Sequence, residues 1–148
     1  MENFLKKIVR TILPVLMLLA LTGCVSVKLI ADYDSQTDQS VTEVQQKTEE
    51  FLVKMERMIG KTEAAYENNV QFYDEMKVKL SGIQVRANAI PKNDVTIEML
   101  KLLSQNMDDF ESLHKKGLKT NDIFPIRTAM NVGCTAILRL ELAKKRGV

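Results

Sequence analysis

Residues 41–83, VTEVQQKTEEFLVKMERMIGKTEAAYENNVQFYDEMKVKLSGI, decide the fold. Apolar or small side chains recur at Val41, Val44, Thr48, Phe51, Leu52, Met55, Ile59, Thr62, Tyr66, Phe72, Tyr73, Met76, Leu80 and Ile83. Spacings of three and four put them on one side of a helix, and that side has to be buried against other helices. A single heptad phase runs through the stretch, so the expectation is one extended first helix, unbroken at Gly60, in coiled-coil-like packing. The competing reading breaks the chain at Gly60 and lets Thr62 cap a second helix. Upstream, Ser40-Val41-Thr42-Glu43 has capping-box spacing, in which each of the two polar side chains satisfies the other's amide.

Downstream, Pro91 ends the first element, because the residue before a proline is pushed away from helical geometry. Asn93 or Asp94 can cap the next helix, whose stripe is Leu100, Leu103, Met107, Phe110 and His114. Lys115 and Lys116 suit the negative end of the helix dipole, and Gly117 suits the left-handed position after it. Leu118 is then expected to fold back on Leu113. Asn121 or Asp122 starts the last helix, with Pro125 in its first turn. Ala136-Ile137-Leu138, Leu140 and Leu142-Ala143 make that helix apolar nearly all round, interrupted by Arg139 and Glu141, so it is expected in the middle of the bundle. Lys144, Lys145 and Arg146 close it before Gly147. No alternating run bounded by turn residues suggests a strand. The fold class is all-α: an elongated bundle of three or four helices with a long first helix, occupying residues 40–148.

The N-terminus reads differently. Lys6, Lys7 and Arg10 precede an apolar run from Ile12 to Ala20, too short for the ~18–20 residues that cross a bilayer. Leu21-Thr22-Gly23-Cys24 then resembles the bacterial lipobox, in which small residues admit a peptidase and the cysteine thiol accepts lipid. Residues 1–23 are therefore expected to be a signal peptide, and Cys24 the site of a palmitate-bearing membrane anchor. An N-terminal spanning helix is the alternative. Residues 24–39 form the tether, with Val27, Leu29 and Ile30 expected to dock in part; fully extended, Val25 to Gln39 reaches about 50 Å.

The chain carries 21 Lys and Arg against 19 Asp and Glu; three basic residues and one acidic fall in the leader, which leaves 18 of each in the remainder. A balanced domain lacks the basic face that nucleic acid demands. With Cys24 acylated, Cys134 has no intrachain partner, and its neighbours Val132, Ala136 and Ile137 suggest a buried, inert thiol.

Candidate sites are few. Asp32, Asp34, Gln36, Asp38, Ser40 and Glu43 have the spacing of a calcium loop, but Thr37 stands where the turn demands glycine, so no metal is expected. His114 is the only histidine and cannot make a closed zinc site alone. His114 with Cys134 is the one conceivable nucleophile–base pair. The methionines on the stripes read as core filler. No catalytic residue, cofactor or enzymatic activity is expected.

Two stretches, Leu29-Ile30-Ala31-Asp32-Tyr33-Asp34 through Thr37-Asp38 and Val41-Thr42, and Ala136-Ile137-Leu138 to Lys144-Lys145-Arg146, resemble small, uncharacterised helical lipoproteins of Gram-negative bacteria. That resemblance implies a lipid-anchored location. Val25, rather than Asp, after Cys24 implies the outer membrane, facing the periplasm. The ending Arg146-Gly147-Val148 differs from the terminal lysine that joins one such lipoprotein to peptidoglycan, so that attachment is not expected. The leading expectation is a non-enzymatic structural or interaction module binding an envelope protein. The alternative is a carrier or sensor of a small apolar ligand held between helices.

Overall fold

The computed structural model describes residues 29–147. Four helices follow in order: α1 (Ser35–Met58), α2 (Val70–Ala89), α3 (Asp94–Lys115) and α4 (Thr120–Lys145). Two short 3₁₀ turns, Thr62–Ala64 and Tyr66–Asn68, lie between α1 and α2. Among the described residues there is no strand. Each helix packs against the next, and α4 closes on α1, giving a four-helix bundle with α1 and α3 on one diagonal. Neighbours run antiparallel: Glu43 pairs with Lys79, Lys77 with Glu111, and Gln45 with Asn131. No described helix is long and apolar enough to cross a membrane.

The buried set follows the predicted stripes within the helices, but Thr62 is exposed in a 3₁₀ turn and Asn69, not Thr62, occupies the N-cap of α2. Val41, Val44, Leu52 and Met55 of α1, Tyr73 and Met76 of α2, and Leu100, Leu103 and Met107 of α3 are fully buried, with Ile137 of α4 among them. Leu113 and Leu118 both pack, partly buried, against this core. Gly117 has φ +97°, and its amide donates to His114 O at 2.9 Å, as its position after α3 implied.

Several expectations are corrected. The first helix is not continuous to Ile83. It stops at Met58, and Gly60 follows with φ +86°, a left-handed conformation that a side chain resists. The apolar phase survives this break only because the loop hands the chain back to the same core. The intended long helix is thus two helices of 24 and 20 residues, and α4, with 26, is the longest.

α1 also begins earlier than the Ser40 capping box. Asp34 is the N-cap, its carboxylate accepting from the Thr37 amide at 3.2 Å, so Ser35–Gln39 are helical rather than tether. Asp34 completes a full turn of additional helix, and Ser40 and Glu43 sit inside it. The last helix starts at Thr120, where Asp122 accepts from the Lys119 amide at 2.8 Å. Pro125 is therefore the sixth helical residue, past the first turn, and Asn121 O loses its usual helical donor. Nor is α4 central. Phe124, Val132 and Leu142 are exposed on its outer side, and it occupies one corner like the other three.

The left-handed glycines give a sign test. Gly60→Ala and Gly117→Ala should each lose roughly 1–2 kcal/mol, the cost of a Cβ in that conformation. Gly82 is mid-helix with open space around its Cβ position. Gly82→Ala should instead gain roughly 0.5–1 kcal/mol. Urea unfolding midpoints read both signs.

Candidate functional site

The C-terminal turns of α4 carry Glu141 and Lys144, one turn apart and on the buried side. The Lys144 ammonium donates to Glu141 Oε1 at 2.6 Å, Asn93 Oδ1 at 2.7 Å and Thr96 Oγ1 at 2.8 Å. An ammonium has three N–H bonds, and all three are used. Glu141 is wholly inaccessible. Its Oε1 also accepts from the Thr96 hydroxyl, and its Oε2 accepts from the Asp34 backbone amide at 3.0 Å. Asn93 in turn donates to Ala87 O at the end of α2. One buried polar network thus joins all four helices at the end of the bundle where α1 begins.

That end also holds the chain that leads into α1. The Ala31 amide donates to Lys92 O at 2.9 Å, and Lys92 itself is left-handed with φ 62°. Tyr33 donates to Asp38 at 2.8 Å, and the Lys145 ammonium lies 5.1 Å from its ring centre. Asp34 is gripped twice: by Thr37, and by Arg86, whose Nε and Nη2 reach the two carboxylate oxygens at 2.6 Å each. The Arg86 guanidinium holds the Asp34 carboxyl well below the usual carboxylate range, helped by Thr37 and opposed by burial.

The opposite end of the bundle is aromatic. Phe51 stacks on Phe72 at 3.9 Å, and Tyr73 meets Phe110 edge-on at 5.4 Å. His114 is buried among them. Its Nε2 lies 2.7 Å from Ala64 O, a group that can only accept, so Nε2 carries the proton. Nδ1, 2.7 Å from the Tyr73 oxygen, then accepts the phenol proton. Beside this pair, burial pushes the Glu111 carboxyl up, but hydrogen bonds from Lys77, Tyr66 and Lys115 outweigh it and bring it to about 2. Burial raises the Tyr73 phenol strongly, and the nearby Glu111 charge adds to it.

The structure distributes the singled-out residues as follows. Cys24 and the lipobox residues Leu21, Thr22 and Gly23 lie outside the described residues. Cys134 is buried, and burial pushes its thiol up to about 12. Both nitrogens of His114 are engaged with Tyr73 and Ala64, so neither serves Cys134. The residues with calcium-loop spacing are otherwise occupied. Helix α1 runs through Gln36, Asp38, Ser40 and Glu43, while Asp34 binds Arg86 and Glu43 binds Lys79. Met55, Met76, Met107 and Met130 are buried filler. Lys144, expected only to close the last helix with Lys145 and Arg146, is also an interior residue.

Comparison with protein-family models, curated proteins and solved structures finds no match to this chain. What the site does therefore has to come from its own chemistry. Among the described residues every buried side-chain nitrogen and oxygen has a hydrogen-bond partner. Groups so fully satisfied hold structure in place; neither network presents an unengaged base beside a nucleophile.

Sequence reading missed Glu141, Lys144, Thr96, Asn93 and Glu111 as buried polar residues. A signal was present: Ile123, Ile126, Met130, Cys134, Ile137, Glu141 and Lys144 keep one spacing of threes and fours. The phase continues through the charges, and treating them as interruptions hid it.

Lys144→Met would strand the Glu141 carboxylate in the interior, and should cost roughly 3–5 kcal/mol. The double variant Glu141→Gln/Lys144→Met removes both charges yet keeps an acceptor for the Asp34 amide. It should recover at least half of that loss in urea unfolding.

Proposed function

We propose that this chain is a bacterial lipoprotein, anchored through acyl chains on Cys24, whose helical bundle is a non-enzymatic interaction module of the cell envelope. The observation that carries the reading is the coincidence of Leu21-Thr22-Gly23-Cys24, behind a charged start and a short apolar run, with a helical domain whose first helix begins eleven residues later, at Ser35. Acyl chains contribute about 0.8 kcal/mol per buried methylene, so two or more anchor stably without a spanning helix. Val25 after the cysteine favours the outer membrane, with the bundle in the periplasm.

The stripe of α1 is covered by α2 and α4 and offers nothing to a second protein. Exposed apolar side chains lie instead on the other helices, with Val78 and Val85 seven residues apart on α2. Val85 borders an open groove of about 390 Å³ between α2 and α3, floored by Leu80 and Met107 and edged by Lys77, Ser81, Gln84, Ser104 and Asp108. An envelope protein that places an apolar side chain there, ringed by hydrogen bonds, fits this surface.

Affinity purification of the acylated protein from crosslinked envelopes tests the reading. Wild type should recover a specific protein that Cys24→Ser fails to recover. Val85→Glu, on an exposed position, should cut recovery several-fold while helicity stays unchanged. Recovery of lipid and monomer alone, under conditions that capture a known envelope complex, would count against an interaction module.

A further inference from the structure

The anchor and the bundle are separated by very little chain. Ala31 is already fixed by its amide to Lys92 O, and Asp34 by its amide to the buried Glu141 carboxylate. Only residues 25–30 lie between Cys24 and Ala31. Covalent geometry allows at most about 25 Å across those seven steps. The bundle is longer than its leash: Phe124 and Lys145 stand 21 residues apart on α4, about 30 Å along the helix axis.

The end of the bundle from which the leash leaves has the makeup of a headgroup-facing surface. Leu29 is 83% exposed there. Tyr33 is half-buried, with its ring under the Lys145 ammonium. Lys92, Lys145 and Arg146 are exposed around it, against the exposed acids Asp32 and Asp94. An apolar residue, a tyrosine and lysines grouped at one level are what the bilayer interface favours, with ammonium and guanidinium groups meeting lipid phosphates. The far end carries a similar set, Tyr66 under the Lys115 ammonium with Lys61, Lys116, Lys119 and Phe124 exposed, so it is the short leash that selects the Leu29 end. Among the described residues the exposed apolar side chains on the long sides are dispersed, Val78 and Val85 on α2, Leu102 on α3 and Val132 on α4.

We propose that this tip, formed by Leu29, Tyr33, Lys92, Lys145 and Arg146, seats on the phospholipid headgroups of the membrane that holds the Cys24 lipid, so that the bundle stands end-on. The aromatic end, with Phe124 and the α1–α2 loop, then faces away from the bilayer. This inference rests on the acylation of Cys24.

The chain contains no tryptophan, so a single introduced indole reports its own depth. Acylated full-length Tyr33→Trp and Phe124→Trp are each reconstituted into phosphatidylethanolamine–phosphatidylglycerol vesicles containing headgroup spin-labelled lipid. Intact mass and vesicle flotation are read first on both. Tyr33→Trp should be quenched at least threefold more strongly than Phe124→Trp. Adding Lys145→Glu and Arg146→Glu to Tyr33→Trp should cut that quenching by half or more. An unacylated mass, or protein that does not float, overturns the lipoprotein reading and the seating with it. Acylated, floating protein with equal quenching at the two positions overturns end-on seating alone. Strong quenching at Tyr33→Trp that the charge reversals leave unchanged overturns the headgroup contact.

Discussion

The Lys144–Glu141 pair is the constraint on which the arrangement of this bundle turns. Taking an ammonium and a carboxylate out of water costs several kcal/mol per ion unless the remaining hydrogen-bonding capacity is filled. Here Asn93 and Thr96, both at the start of α3, and the Asp34 amide ahead of α1 fill it. An apolar pair of similar volume would pack α4 against α3 equally well. It would offer nothing to the Asp34 amide. The charged pair therefore specifies where the incoming chain attaches, which a purely apolar end would leave open.

From that attachment the mechanical layout follows. Asp34, held from behind by Glu141 and from the front by Arg86, caps α1 and starts it five residues before Ser40. Each residue added to the helix is one removed from the tether. If Cys24 carries the proposed lipid, the reach of about 50 Å that the sequence suggested becomes about 25 Å, shorter than the bundle. The two ends of the bundle are solved by different chemistry. An ionic network closes the end where α1 begins, whereas stacked rings around His114 close the other.

Much of the fold was legible because burial here obeys the helical period. Val41 to Met55, Tyr73 to Ile83, and Leu100 to His114 are buried as their spacing demands, and Gly117 ends α3 as its place after two lysines implied. The errors share a cause, namely that periodicity reports which side is buried but not where the backbone turns. Gly60 breaks the expected long helix after α1, while Ile59 and Tyr66 on either side of the turn still pack on the same core. The site was less legible. Hydrophobic pattern treats Glu141 and Lys144 as surface, and nothing local to them names Asn93, Thr96 or Asp34 as partners. Those contacts span 107 residues in the case of Asp34 and Glu141, and only the packed bundle brings them together.

The central claim is that the chain entering α1 is bolted to the bundle at Ala31 and Asp34 before the helix begins. Site-resolved amide hydrogen exchange tests it directly at those two residues. Both amides should exchange orders of magnitude more slowly than a free chain, with Asp34 protected as strongly as the interior of α4. Free-chain exchange at both, alongside a protected bundle, would contradict the account.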